Sequence, residues 1–114
     1  MVDCIFCKIV AKEAPADVVY EDEQILAFRD INPVAPVHIL VIPKRHIESL
    51  QDTQPSDDQL LGALLGVARR VAKEQNLTGY RVVTNVGKDG GQVVMHLHLH
   101  VIGGKPLSDL PALG

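Results

Sequence analysis

The sequence predicts an α+β fold: an antiparallel β-sheet with one long and one short helix. Three observations lead there. Only residues 56–79 carry a sustained helical periodicity, and the β-branched runs gather around that helix instead of alternating with further helices, so repeated βαβ units are not expected. The 114 residues, 46% apolar and 22% charged, suit one ordinary globular domain. No composition shift, internal repeat or low-complexity linker divides residues 1–114.

Residues 4–13 have short helical character, with Ile5, Phe6 and Ile9 as apolar positions and Pro15 as the expected stop. Val18–Tyr20 and Ile25–Arg29 read as strands joined by the polar turn Glu21–Gln24. Pro33 and Pro36 make residues 30–36 a loop, and His38–Ile42 is an apolar, β-branched central strand closed by Pro43. For the long helix, Ser56 is the expected N-cap, with Gln59 in capping-box spacing and Asp57 and Asp58 at the positive end of the dipole. Leu60, Leu64, Val67, Ala68 and Val71 form its apolar face, and Asn76–Gly79 stop it. Tyr80–Val86 is the next expected strand, Gly87–Gly91 a turn and Val93–Ile102 the last strand.

Composition excludes some functions. Eleven Lys+Arg against fourteen Asp+Glu give a net charge of -3, unlike a protein that neutralises nucleic-acid phosphates. No apolar run approaches the ~20 residues of a bilayer span, and Asp3 and Lys8 interrupt the stretch a signal peptide would need. Cys4 and Cys7 are too close to staple a fold and read as a reduced pair or half a metal site. A cytoplasmic protein is expected, with no nucleic-acid or membrane partner.

The informative stretch is His96-Leu97-His98-Leu99-His100-Val101-Ile102. In a strand the three histidines share one face, ~6.6–6.8 Å apart along the backbone, and Leu97, Leu99 and Val101 share the other. With five histidines in 114 residues, three at i, i+2 and i+4 arise by chance about once in a hundred such sequences. Aligned imidazoles suit metal binding, or phosphorus chemistry with one neutral ring as nucleophile. Upstream, Gly87, Gly90 and Gly91 surround Lys88 and Asp89. That pattern suits a plain hairpin turn or an anion cradle of main-chain N–H groups. Neither GxxxxGK[ST] nor GxGxxG occurs.

His96–Ile102 matches the His-φ-His-φ-His-φ-φ signature of the histidine triad (HIT) superfamily, with φ apolar. Cys4–Val10, Ala27–Pro33, Ala35–Lys44, Gly90–Gln92 and Gly103–Gly104 look like its histidine triad nucleotide-binding (Hint) branch. The resemblance implies a HIT-like core over about 3–105 and a tail over 106–114. It also implies a purine nucleoside phosphoramidase that cleaves the P–N bond of AMP-amides such as AMP–lysine, binds a purine nucleotide and needs no cofactor for catalysis. On that resemblance His98 is the nucleophile, His100 contacts the phosphate, and His96 and His38 orient the site and shuttle protons. Asp30 accepts the ribose hydroxyls. Ile5, Phe6, Ile9, Phe28, Arg29, Ile31 and Leu40 line the purine pocket, and Asn85, Gly91 and Gln92 hold the phosphate or leaving group.

Phe28 and Ile31 read equally well as core residues, and Asp30 as a turn former. Val93 stands where many Hint proteins carry Ser, and the chain has no Trp near a leaving group. Some bacterial HIT proteins complete a structural Cys₂His₂ zinc site, here Cys4, Cys7, His46 and His96; a redox pair or inert thiols are the alternatives. The family usually forms homodimers, and the apolar face of residues 60–71 is compatible with that or with core packing alone.

Overall fold

A computed structural model describes residues 4–108, so the end of the expected tail, residues 109–114, lies outside the described residues. The chain runs α1 (Ile5–Val10), β1 (Val18–Glu21), β2 (Ile25–Arg29), β3 (Val37–Pro43), α2 (Asp58–Glu74), β4 (Tyr80–Val83) and β5 (Leu99–Gly103). The five strands form one antiparallel sheet in the order β1-β2-β3-β5-β4. The expected α+β class, with a long and a short helix on such a sheet, is the class observed.

Alternation within the strands makes two cores. Ile25, Ala27, Ile39, Val41, Leu99 and Val101 face α2 and meet its Leu64, Val67, Ala68, Val71 and Ala72. Leu26, Phe28, Leu40 and Ile42 face the other way and meet Phe6 and Ile9 of α1. The sheet is thus a middle layer, and the histidines lie on the α1 side.

Strand ends at Glu21, Val37, Pro43 and Gly103 each run one residue beyond expectation, and four other boundaries differ for a local reason. α1 ends at Val10 because Lys12 takes φ 63° and the N–H groups of Glu13 and Ala14 close on the Lys8 carbonyl, before Pro15 is reached. Ser56 does not cap α2: Pro55 opens a 3-10 turn over Pro55–Asp57, and Gln54 and Asp57 form the capping box. β4 stops at Val83, since the Thr84 hydroxyl donates to the His98 carbonyl at 2.9 Å in place of a ladder bond. β5 starts only at Leu99, because the facing residue beyond Val41 and Ile42 is Pro43, which has no N–H to offer the ladder. The helix stop at Asn76 is as expected. Asn76 is left-handed at φ 57°, and Leu77 N–H to Ala72 O with Asn76 N–H to Lys73 O make a Schellman motif.

Candidate active site

Although His96 and His98 precede the hydrogen-bonded part of β5, the alternation persists through them. Leu97, Leu99 and Val101 are buried in the α2-side core. His96 and His98 are buried on the α1 side, both edge-on to Phe6, with ring centroids 5.8 and 5.2 Å away. The Leu97 N–H donates to the Ile47 carbonyl at 2.7 Å, docking the loop that carries His46 against the segment that carries His96.

Each imidazole has a different partner. His98 Nδ1 donates to the His96 carbonyl at 2.6 Å, which leaves Nε2 without a hydrogen in the neutral ring. His96 Nε2 donates to the Pro43 carbonyl at 2.8 Å, so its Nδ1 keeps a lone pair. The Val34 N–H donates to His38 Nδ1 at 3.2 Å, and His38 Nε2 lies 2.9 Å from His100 Nδ1. Asp30 Oδ2 stands 3.5 Å from His38 Nε2, while its Oδ1 accepts the Asn32 N–H at 2.8 Å. Asp30 is therefore both a turn former and part of the histidine cluster.

Burial dominates the electrostatics. It lowers the pKa of His98 below the ordinary imidazole value, against the opposing pull of the His96 carbonyl and Asp30. His38 is lowered for the same reason, with Asp30 opposing. His100 is pushed down to about 4 by burial and by the neighbouring His98 and His38. Burial also lowers His96, with the Pro43 carbonyl opposing. At pH 7 these rings are neutral, as a nucleophile or a metal ligand must be.

Nδ1 of His96 faces a second cluster. It lies 3.4 Å from Cys4 Sγ, 3.6 Å from Cys7 Sγ and 3.2 Å from His46 Nδ1, which is itself 3.2 Å from Cys7 Sγ. All four ligand atoms fall within 4.8 Å of one another. A tetrahedral zinc with ~2.0–2.1 Å bonds to nitrogen and ~2.3 Å bonds to sulfur would separate its ligand atoms by ~3.3–3.8 Å. The donor set and spacing fit such an ion. The triad itself does not converge on a point: His96 turns to the cysteines, His100 to His38, and His98 to the His96 carbonyl.

The other expected site residues separate into groups. Phe6, Ile9, Phe28 and Leu40 are packed in the α1-side core, with Phe6 and Phe28 edge to face at 5.4 Å. Ile5 is half-exposed, and Ile31 is 89% exposed. Arg29 points to the opposite face, where it donates to Gln75 at 3.2 Å beside Asp17. Asn85 is half-buried directly after Thr84. Gln92 is buried and fully engaged: it accepts the Gly87 N–H and donates to the Glu48 and Val94 carbonyls. Gly91 is left-handed at φ 87°, and the N–H groups of Gly90, Gly91 and Gln92 bond within the turn. The residues 87–92 loop is thus a self-bonded turn, and those N–H groups are not open to an anion.

Comparison with known proteins decides the family. The HIT domain family model matches residues 11–107. This chain belongs to the HIT family. Protein HitA of Neisseria gonorrhoeae is 50% identical over 104 residues, covering 90% of this chain and 97% of that protein. A crystal structure of a HIT family hydrolase from Legionella pneumophila superposes with a TM-score of 0.92 at 48% identity, covering 96% of this chain and all of that one. A zinc-bound histidine triad protein from Mycobacterium smegmatis gives 0.81 at 39% identity, covering 96% of this chain and 80% of that one.

Several groups that position the histidines had no signal in the sequence: the carbonyls of His96 and Pro43 and the Val34 N–H. Main-chain groups carry no residue-type signature. The one available hint was Pro43, whose missing N–H marks where a ladder must end. No helix among the described residues is long and apolar enough to cross a membrane.

Proposed function

We propose that this HIT protein is a hydrolase of the Hint type, a purine nucleoside phosphoramidase acting on AMP-amides. The observation that carries the reading is the 2.6 Å bond from His98 Nδ1 to the His96 carbonyl, which sets the tautomer with a free Nε2 lone pair. In the first step Nε2 attacks the α-phosphorus, a P–Nε2 bond forms and the P–N bond to the amine breaks, and the departing amine takes a proton from solvent, which the hydrolysing water gives back in the second step. Water then displaces the phosphorus from Nε2, giving AMP and the free imidazole.

His100 donates to a phosphate oxygen, His38 and His96 hold the rings in place, and Asp30 accepts the ribose hydroxyls. Ile5 and Ile31, the exposed apolar side chains of the expected set, contact the purine, with Phe28 and Leu40 beneath. On this reading Asn85 contacts the phosphate, while the Gly91 N–H is spent on the Lys88 carbonyl and takes no direct part. The Arg29 and Gln92 side chains are committed elsewhere and take no direct part.

Cys4, Cys7, His46 and His96 would hold a structural zinc. All four positions would be filled by protein, so the ion would hold the fold together and keep no open position for chemistry. Its Pro43 carbonyl partner would orient His96 as a ligand. The reading includes a homodimer, supported by the open edge of β4, where Tyr80 and Val82 are exposed, and by exposed Leu65 on α2.

The test is incubation with the lysine amide of AMP, followed by mass spectrometry of the quenched protein. A nucleotidyl adduct on His98 is expected; turnover with the adduct on another residue, or none, overturns the assignment.

A further inference from the structure

Residues 30–36 approach His38 through the Asp30 carboxylate and through one main-chain group, the Val34 N–H. The Val34 N–H donates to His38 Nδ1 at 3.2 Å, although the Val34 side chain itself is half-exposed. An amide N–H can only donate, so His38 Nδ1 must accept, and in the neutral ring the hydrogen sits on Nε2. His38 Nε2 is 2.9 Å from His100 Nδ1 and 3.5 Å from Asp30 Oδ2, so His100 is its nearer acceptor. His100 Nδ1 then accepts as well, and the His100 hydrogen is placed on Nε2, the nitrogen left for a substrate. The loop is held for this by the Asp30 Oδ1 bond to Asn32 N–H and by the Asp30 N–H bond to the His38 carbonyl.

We propose that the Val34 main-chain N–H is a positioning group for the reaction: through His38 it selects the His100 tautomer that presents Nε2–H to the phosphate. The kinetic half of this inference rests on the phosphoramidase reading; the tautomer half does not. It makes the identity of the Val34 side chain secondary and the presence of its N–H decisive.

The test removes the hydrogen and keeps the chain. An ester in place of the Pro33–Val34 amide, introduced with the α-hydroxy analogue of valine, deletes the donor alone. Val34→Pro is the simpler variant, and Val34→Ala the conservative one that keeps the N–H. Long-range ¹H–¹⁵N spectra report which nitrogen of each imidazole carries hydrogen, and steady-state turnover of the AMP lysine amide reports kcat and KM. In the wild type both His38 and His100 are expected as Nε2–H. The ester chain should show mixed tautomers at both rings and a kcat lower by roughly ten-fold, about the worth of one hydrogen bond, with KM little changed. Val34→Ala should restore both. Nδ1–H on wild-type His38 would overturn the proposal. So would unchanged tautomers in the ester chain, or altered tautomers with undiminished kcat. A wild type that fails to cleave the amide would sink the phosphoramidase reading instead, and the ring spectra would still decide whether Val34 sets the tautomers.

Discussion

The carbonyl of His96 accepts the Nδ1 hydrogen of His98 at 2.6 Å, while the His96 ring reaches the other way to Cys4 and Cys7. One residue therefore belongs to both clusters: its backbone fixes the proposed nucleophile and its side chain completes the Cys/His set. Alternation along an extended chain permits this, because backbone and ring leave the same residue in different directions.

His98→Ala should reduce cleavage of an AMP-amide by more than the ~10²–10⁴-fold typical of losing one acid–base group, because the nucleophile itself is removed. Steady-state assay together with the absence of the nucleotidyl adduct checks this. Retention of turnover within ten-fold would point to a different nucleophile.

Zinc removal should separate stability from chemistry. Metal analysis of purified protein is expected to find one zinc per chain, and Cys7→Ser should lower Tm by at least ~5 °C, corresponding to about 1 kcal/mol in a domain of this size. Adduct formation on His98 should survive a chelator at a temperature where the chain stays folded. Loss of the adduct with the fold intact would instead implicate the ion in catalysis.

The pH dependence has a definite sign. His38, His98 and His100 have folded pKa values lowered from 6.5, His100 to about 4, so the unfolded chain binds protons more readily between those limits. Their neutral burial is compatible with full stability above pH ~6.5, and stability is lost as pH falls toward 4. Thermal unfolding at pH 7.5 and 5 should show the drop, and His100→Gln should make it smaller. Activity of the folded protein should persist below the usual midpoint of histidine, because burial lowers the pKa of His98.

Gln92→Leu should destabilise by about 2–4 kcal/mol in urea unfolding, since it strands the Gly87 N–H and the Glu48 and Val94 carbonyls at a buried position. A cost below ~1 kcal/mol would mean that water replaces the side chain without loss.

Much of this molecule was legible in the order of its residues. The period of 3.6 over Leu60–Val71 and the period of 2 over His96–Val101 state directly which side chains face which layer, and both hold. The spacing of Cys4 and Cys7 announced one side of a possible ion site. Less legible were the ends of elements: Lys12 and the Pro55 turn acted before the expected signals at Pro15 and Ser56.

By itself, then, the sequence determined the α+β class, the face the three histidines share and the residue types available for chemistry. Only the tertiary structure decided what each ring does. His96 is turned to the cysteines by the Pro43 carbonyl, His100 is tied to His38 and thence to Val34, and Arg29 and Gln92 are drawn away from the site. The reason is physical. Those choices are made by main-chain donors and acceptors brought in from distant segments, and a peptide group looks the same at nearly every position of a chain.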